Sequence, residues 1–376
     1  MAIDKVTSAA ITDGTITSSD LASGTIENQS AFKNIIINGD MSVAQRGTSA
    51  SSISSSGYQT VDRFINEMDA AGTWTISQST TVPSGQGFAT SLKMDCTTAN
   101  GSLSAGSYNI FSQRLEGQIL QYLKFGTSSA ESLTLSFWVR SNKTGTYTLE
   151  INSFATNKSQ SQTYTISSAD TWEKKTVTFT GDTATTIAND NARSLNLMFW
   201  LAAGTTYTSG TLNTSFNTKT DANRVSSSQV NLADSTSNEW YVTGVQLEAG
   251  TIASDFEFLP VDANLLRCQR YLQKIEKESS NTVLTVLQAY GSETAIGCLP
   301  AITKFRALPS LSTTGTFNCW TAPATDNAIG SIALYSAATT QNGFIFTRSS
   351  QGSLSAGNAT GLHTQSTATI LFDAEL

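Results

Sequence analysis

The chain has 376 residues, of which 39% are hydrophobic and 14% are charged, and its formal net charge is −7. This length is enough for two ordinary domains and an appendage. The negative charge and the lack of a long basic run argue against nucleic acid, or an anionic membrane surface, as a partner.

The composition favours β-structure. Charged residues are few, whereas Ser, Thr, Gly and aromatic residues are abundant, and this usage suits sheets more than helices. No apolar run has the length of a transmembrane helix, and residues 1–10 lack the basic and then apolar pattern of a signal peptide. The cysteines have no metal-like spacing, so we interpret them as inert thiols of a protein made in a reducing cytoplasm.

The first segment, residues 1–33, carries a repeat of five residues. One apolar side chain recurs in each repeat, at Val6, Ile11, Ile16, Leu21 and Ile26. At this spacing the apolar side chains would alternate between the two faces of a strand, or scatter around a helix. Neither element could therefore bury all of them by itself. With a turn in each repeat, three copies could place these side chains against a common axis. We expect either a trimeric stem or docking peptide, or a frayed tail.

Residues 34–260 have the pattern of a β-sandwich. Short runs of alternating apolar and polar residues are separated by clusters of Gly, Ser, Asn and Asp. The predicted strands include Trp74–Ser77, Ser91–Asp95, Leu133–Arg140, Thr146–Ile151, Lys174–Thr180, Leu195–Leu201 and Trp240–Leu247. An antiparallel sandwich is the usual architecture for such a series.

Two of these strands carry a tryptophan on the face opposite their core residues. Trp138 and Arg140 alternate with the apolar residues of one strand, and Trp200 does the same in another. One interpretation is that a loop or a neighbouring subunit covers these side chains. The other is a platform on which sugar rings stack, while polar neighbours bind the sugar hydroxyls.

Residues 261–280 are predicted to form the one linking helix. Pro260 stops the preceding strand, and Asp262 is placed to cap a helix. Apolar residues then recur at intervals of three and four, at Leu265, Cys268, Leu272 and Ile275. Because the flanking β-domains need not cover this stripe, we expect it to be a seam between the subunits of a homotrimer.

Residues 281–376 are predicted to form a smaller β-domain of short strands joined by polar loops. The candidate glycan-contacting residues in this domain are Trp320, Asp326, Tyr335, Asn342 and Arg348.

The sequence has no recognisable catalytic or metal-binding motif. His363 is the single histidine, and neither a nucleophile nor a partner is marked for it. Phosphate-binding glycine loops and zinc-ligand spacings are missing. Scattered carboxylates could form a glycosidase pair, but the sequence brings no two of them together. We expect a binding or structural protein that uses no cofactor and no metal, and not an enzyme.

Several segments resemble the receptor-binding tail fibres of bacteriophages. The sandwich begins with NIIINGDMSVAQRGTS at residues 34–49, followed by VDRF at 61–64. Two of its strands are LSFWVRSNKTGTYTLEI and DTWEKKTVTF, and its exit carries VTGVQLEAG, DFEF and CQRYLQK. The start of the family's tip domain resembles LPAITKFRALPSL, and its end resembles FDAEL. These motifs are structural, so the resemblance transfers no catalytic residue.

The resemblance implies a homotrimer in the virion, with the N-terminal end on another tail protein and the distal end on a host surface polysaccharide. The predicted fold is all-β: a jelly-roll sandwich like that of carbohydrate-binding modules and a smaller C-terminal β-domain, joined by one helix, with a pentad-repeat stem. The lack of a long shaft leaves open a short fibre, a fibre tip or a head decoration. Two alternative functions remain: a capsid or tail decoration protein without a receptor, and a polysaccharide depolymerase.

Overall fold

The computed structural model describes residues 32–276, 283–321, 325–334, 340–350, 354–364 and 368–376. All five pentad positions lie outside these ranges: Val6, Ile11, Ile16, Leu21 and Ile26. The stem therefore stays a prediction.

Residues 34–260 form two packed antiparallel sheets. In chain order, their described strands are β1 (Ser49–Ile53), β2 (Gly57–Tyr58), β3 (Phe64–Asp69), β4 (Thr73–Ser79), β5 (Ser91–Thr98), β6 (Tyr108–Glu116), β7 (Leu133–Ser141), β8 (Gly145–Ser153), β9 (Lys158–Ile166), β10 (Glu173–Phe179), β11 (Arg193–Ala203), β12 (Asn217–Thr218) and β13 (Glu239–Ala249). The first sheet has the order β1-β4-β5-β13-β7-β10, and the second has the order β12-β9-β8-β11-β6-β3-β2. The chain crosses repeatedly between the sheets, as in jelly-roll sandwiches.

The predicted alternation of strand residues is confirmed. Leu135, Phe137 and Val139 of β7 point into the space between the sheets, where they are fully buried. Leu197 and Phe199 of β11 face them from the second sheet. Burying such side chains is the main favourable term in the folding of the sandwich, because each contributes roughly 1.5–3 kcal/mol.

The linking segment differs from the prediction. A short helix α1 (Thr205–Thr208) precedes it in the chain, and the linking helix α2 (Val261–Gln269) begins where expected. However, α2 stops at Gln269, and β14 (Leu272–Glu276) follows it instead of further helical turns. The apolar residues of β14 are spaced as in a helix. The segment forms a strand instead, because it pairs with a strand near the C-terminal end.

The predicted subunit seam is wrong for Cys268 and Leu272, which are fully buried within one chain, whereas Leu265 and Ile275 are only partly buried. Cys268 is fully buried in a cluster with Ile37 and Tyr271, and Leu265 packs against that cluster. Leu272 is fully buried, and Ile275 packs against the core of the C-terminal domain.

The C-terminal domain combines a small sheet and a barrel. Its described strands after β14 are β15 (Val283–Ala289), β16 (Thr294–Pro300), β17 (Ser310–Thr314), β18 (Phe317–Thr321), β19 (Thr325–Leu334), β20 (Gly343–Ser350), β21 (Ala359–Thr364) and β22 (Thr369–Asp373). The small sheet has the order β14-β22-β17, and the other strands close as β15-β16-β20-β19-β18-β21.

A buried ion pair joins this domain to the sandwich. The side chain of Arg63 is 0% exposed, and its guanidinium lies 3.4 Å from the ring centroid of Tyr271. Its Nη1 pairs with Glu375, and its Nη2 donates to the carbonyl of Arg114 at 2.7 Å. Burial alone lowers the pKa of Arg63, but the charge of Glu375 raises it above its ordinary value. The negative charge of Glu375 therefore stabilises the charged form of Arg63, which burial alone would destabilise.

We expect Glu375→Gln to lower the free energy of unfolding by about 3–5 kcal/mol, because it leaves the Arg63 guanidinium buried without a counter-charge. Urea denaturation would measure this loss. The matched control is Glu131→Gln, which breaks an exposed pair with Lys124 and should cost at most about 1 kcal/mol. Equal midpoints for Glu375→Gln and the wild type would contradict this account of the junction.

A second prediction concerns Asp62, next to this junction. Burial raises its pKa to about 6, and hydrogen bonds from Gln45 oppose that rise. The folded protein then binds the proton more tightly than the unfolded chain, so stability falls as pH rises from about 4 to 6, by on the order of 3 kcal/mol. Above pH 6 this contribution is constant.

Asp62→Asn removes the titration, so the stability of this variant relative to the wild type should improve from pH 4 to pH 6 and then level off. Denaturation of both proteins at each pH would measure the difference, in which the other titrating groups cancel. If the difference in the free energy of unfolding between the two proteins does not change with pH, the raised pKa of Asp62 is contradicted.

Candidate functional site

The two tryptophans predicted to bind sugar, Trp138 and Trp200, lie on opposite outer faces of the sandwich. Trp138 and Arg140 project from β7 on the outer face of the first sheet, and both are partly exposed. Trp200 projects from β11 on the outer face of the second sheet and is 0% exposed. A single platform that includes all three residues is therefore excluded.

Trp200 is covered by the segment that follows its own strand. Its Nε1 donates to Glu150 at 2.9 Å, and the Arg224 guanidinium lies 4.9 Å from its ring centroid. Tyr207 packs on the ring at 5.2 Å, and Val225 is buried beside it. The prediction that Trp200 stacks on a sugar is wrong, because residues 204–229 fold back over its ring. The structure instead shows the alternative interpretation, burial under a loop.

The outer face of the first sheet presents aromatic and charged side chains in two rows. In one row, Arg140 on β7 is opposite Tyr241 on β13, and Tyr241 is opposite Lys93 on β5. In the next row, Trp138 lies between Lys174 of β10 and Thr243 of β13.

Tyr241 is the centre of the first row. The Arg140 guanidinium lies 5.0 Å from its ring centroid, and the Lys93 ammonium lies 5.7 Å away. Trp172, just before β10, meets the same ring edge-to-face at 6.2 Å. We name the group of Lys93, Trp138, Arg140, Trp172, Lys174 and Tyr241 the Trp138 face.

Hydrogen bonds hold the charged groups of this face in place. Glu239 accepts from Lys93 at 2.5 Å and from the Tyr241 hydroxyl at 2.7 Å. Burial by itself raises the pKa of Glu239, but these bonds lower it below the usual range. Arg140 donates from Nη2 to Asp170 at 2.9 Å. Glu239 is therefore ionised at neutral pH, and its hydrogen bonds hold it against Lys93 and Tyr241.

Two groups of the face keep unused hydrogen-bonding capacity. The Trp172 Nε1 is buried and has no hydrogen-bond partner in the described part of the chain. Lys174 is exposed and forms no ion pair with any described residue. With the partly exposed ring of Trp138 beside Lys174, the face can stack on an apolar surface while the Lys174 ammonium donates hydrogen bonds next to the ring.

The sequence analysis missed Trp172, Tyr241, Lys93 and Lys174. The alternation of β13 places Trp240 in the core and Tyr241 outside, and this signal was readable. The pairing of β13 with both β5 and β7, which brings the four side chains together, was not readable.

The candidate residues of the C-terminal domain are only partly covered by the structure. Asn342 is exposed, and its backbone N–H donates to Thr340. Trp320 lies opposite Asp326 in the β18–β19 pair, and Arg348 lies in β20. The side chains of these last three residues, and all of Tyr335, lie outside the described part.

The described residues offer no other candidate chemistry. No group of three or more His, Cys, Asp or Glu side chains among them is placed to hold a metal ion. His363 is buried, and all four cysteines are free thiols. Neither described helix has the length and hydropathy needed to cross a bilayer.

Several solved structures are similar to this chain. Tailspike protein 4 of bacteriophage CBA120, in its enzymatically active domain, matches with a TM-score of 0.31 and 13% identity, over 58% of this chain and 21% of that chain. A putative sugar binding protein from Bacteroides thetaiotaomicron matches with a TM-score of 0.31 and 12% identity, over 57% of this chain and 99% of that chain.

A third similar structure is the family 11 carbohydrate-binding module from Clostridium thermocellum, with a TM-score of 0.27 and 9% identity, over 55% of this chain and 97% of that chain. The chain spans about a fifth of the tailspike domain, as the 21% coverage shows. No family model and no curated protein matches the sequence.

The different exposures of Trp138 and Trp200 predict a difference in fluorescence quenching. Trp138→Phe should lower the fraction of tryptophan emission that acrylamide quenches, because a partly exposed indole is lost. Trp200→Phe should leave that fraction unchanged or raise it, because the lost indole is fully buried. The opposite order of the two variants would contradict the placement of these side chains.

Proposed function

We propose that the protein is a glycan-binding adhesin and that the Trp138 face is its binding surface. The observation that carries this proposal is a partly exposed indole that lies beside the exposed Lys174 of the neighbouring strand. The apolar faces of sugar rings stack on such indoles, and the hydroxyls of the ring edges need donors and acceptors around them.

The shape of the face favours a polymer over a small molecule. The side chains project from β10, β7, β13 and β5, which are neighbours in one sheet. Three inter-strand spacings of about 4.8 Å give a length of roughly 14 Å. An open surface of this length can bind several consecutive sugars of a polysaccharide, whereas a single sugar would be enclosed in a pocket.

The virion context rests on the resemblance of residues 34–376 to phage tail fibres. We propose a tail fibre in which the N-terminal segment docks on another virion protein and the sandwich binds host surface polysaccharide. The proposed activity is binding without hydrolysis, in a protein made in the host cytoplasm. A homotrimer would strengthen weak sugar contacts, because linked sites raise the effective concentration.

A trimer needs contact surfaces other than the stripe on the linking helix. Exposed apolar side chains occur where the described chain begins and around the junction: Phe32, Tyr122, Ile252, Phe258, Val261 and Leu266. Glu257 joins part of this region, because it accepts from the backbone N–H groups of Phe32 and Asn34. We propose that these side chains contact neighbouring subunits beside the pentad stem.

We expect Trp138→Ala to weaken binding to the host polysaccharide at least about tenfold, equivalent to 1.4 kcal/mol, because the stacking surface is lost. Biolayer interferometry on immobilised bacterial surface polysaccharides would measure the change. Tyr290→Ala, which removes an exposed aromatic ring in the C-terminal domain, should bind like the wild type. A folded Trp138→Ala protein with unchanged affinity would refute the proposed site, and no binding by the wild type on a full panel would refute the function.

A further inference from the structure

A small internal cavity lies between the two sheets of the sandwich, beside β3. Phe64 and Asn66 of β3 line it from the second sheet, and Ile76 of β4 lines it from the first. Thr60, in the segment between β2 and β3, is also part of its wall. Of the lining residues Gln59 is partly exposed and the others are buried, so the cavity belongs to the interior of the sandwich.

Two polar side chains in the wall of this cavity have no protein partner. Asn66 is 2% exposed, and neither its Oδ1 nor its Nδ2 forms a hydrogen bond within the described part of the chain. Thr60 is also 2% exposed, and its Oγ1 lacks a partner among the same residues. Buried amides and hydroxyls normally have partners, because an unpaired polar group inside a protein costs stability.

The alternation of β3 explains why Asn66 points inward. Phe64, Asn66 and Met68 lie on the same side of the strand, and Phe64 and Met68 belong to the hydrophobic core. Asn66 is opposite Phe111 of β6, whose ring stacks on that of Phe64 at 4.8 Å. Asn66 is therefore a polar residue within an apolar row, and strand pairing keeps its amide away from bulk solvent.

The size and chemistry of the cavity select its occupant. The cavity volume is about 10 Å³, which is at the lower limit for one water molecule and too small for a sugar. All lining side chains are uncharged, which disfavours an ion. Water both donates and accepts hydrogen bonds, so one molecule can bond to the Thr60 hydroxyl and to the Asn66 amide at the same time.

We propose that this cavity binds one internal water molecule, which bridges Thr60 Oγ1 and the side-chain amide of Asn66. Thr60 lies two residues before Asp62 and three before Arg63, which contacts the C-terminal domain. The water therefore ties the segment that carries these junction residues to β3. The inference is independent of glycan binding, because the site is inside the sandwich and on neither of its outer faces.

An apolar substitution of similar shape separates a bound water from a dry cavity, because the two cases predict shifts of opposite sign. With the water bound, Thr60→Val removes one of its hydrogen bonds and should lower the urea midpoint of unfolding by roughly 0.3 M. In a dry cavity the same substitution would remove an unpaired hydroxyl and raise the midpoint. The matched control is Thr134→Val, which should lower the midpoint, because Thr134 is 0% exposed and donates to the carbonyl of Gly250 at 2.8 Å.

Asn66→Leu should also lower the midpoint. The Thr60→Val/Asn66→Leu double variant should lose less than the sum of the two single shifts, because both substitutions act on the same water. A crystal structure of the full-length wild type, which needs no variant to fold, should show one water within about 3.2 Å of both Thr60 Oγ1 and the Asn66 amide. A cavity without that water, a midpoint raised by Thr60→Val, or additive shifts in the double variant would overturn the proposal.

Discussion

The contact between Arg63 and Glu375 is the constraint on which the relation of the two β-domains depends. Arg63 lies in the turn immediately before β3 of the sandwich, whereas Glu375 lies just after β22. The pair is inaccessible to water, so neither charge can be removed without leaving the other buried and uncompensated. Tyr271 stacks on Arg63 and leads directly into β14, which pairs with β22. The linking segment and the C-terminal strand are thus fixed to the sandwich here, and also at neighbouring contacts such as the ion pair of Arg46 with Asp373 at 2.8 Å.

The two outer faces of the sandwich differ because the chain covers only one of them at length. Residues 204–229 fold over the second sheet and bury Trp200. The first sheet keeps Trp138 partly exposed among ordered cations. The same alternation of residues in β7 and β11 therefore has different consequences, and the covering segment decides which tryptophan can meet a ligand.

Local patterns predicted the sandwich well and the junction poorly. Alternation in β7 and β11 identified the core and correctly sent Trp138 and Trp200 outward. It could not show that residues 204–229 return over Trp200, because that contact is tertiary. The spacing from Leu265 to Ile275 fits a helix, yet the second half becomes a strand because β22, nearly a hundred residues later, pairs with it. The buried pair of Arg63 and Glu375 likewise depends on a neighbour that no local pattern reveals.

The central claim is that the outer face of the first sheet binds a polysaccharide. Hydrogen–deuterium exchange of the full-length protein, with and without the bound polysaccharide, tests it most directly because no residue is changed. The account predicts slower exchange in β7, β13 and the start of β10 when the polysaccharide is present. Protection confined to the C-terminal barrel, with these strands unaffected, would contradict it.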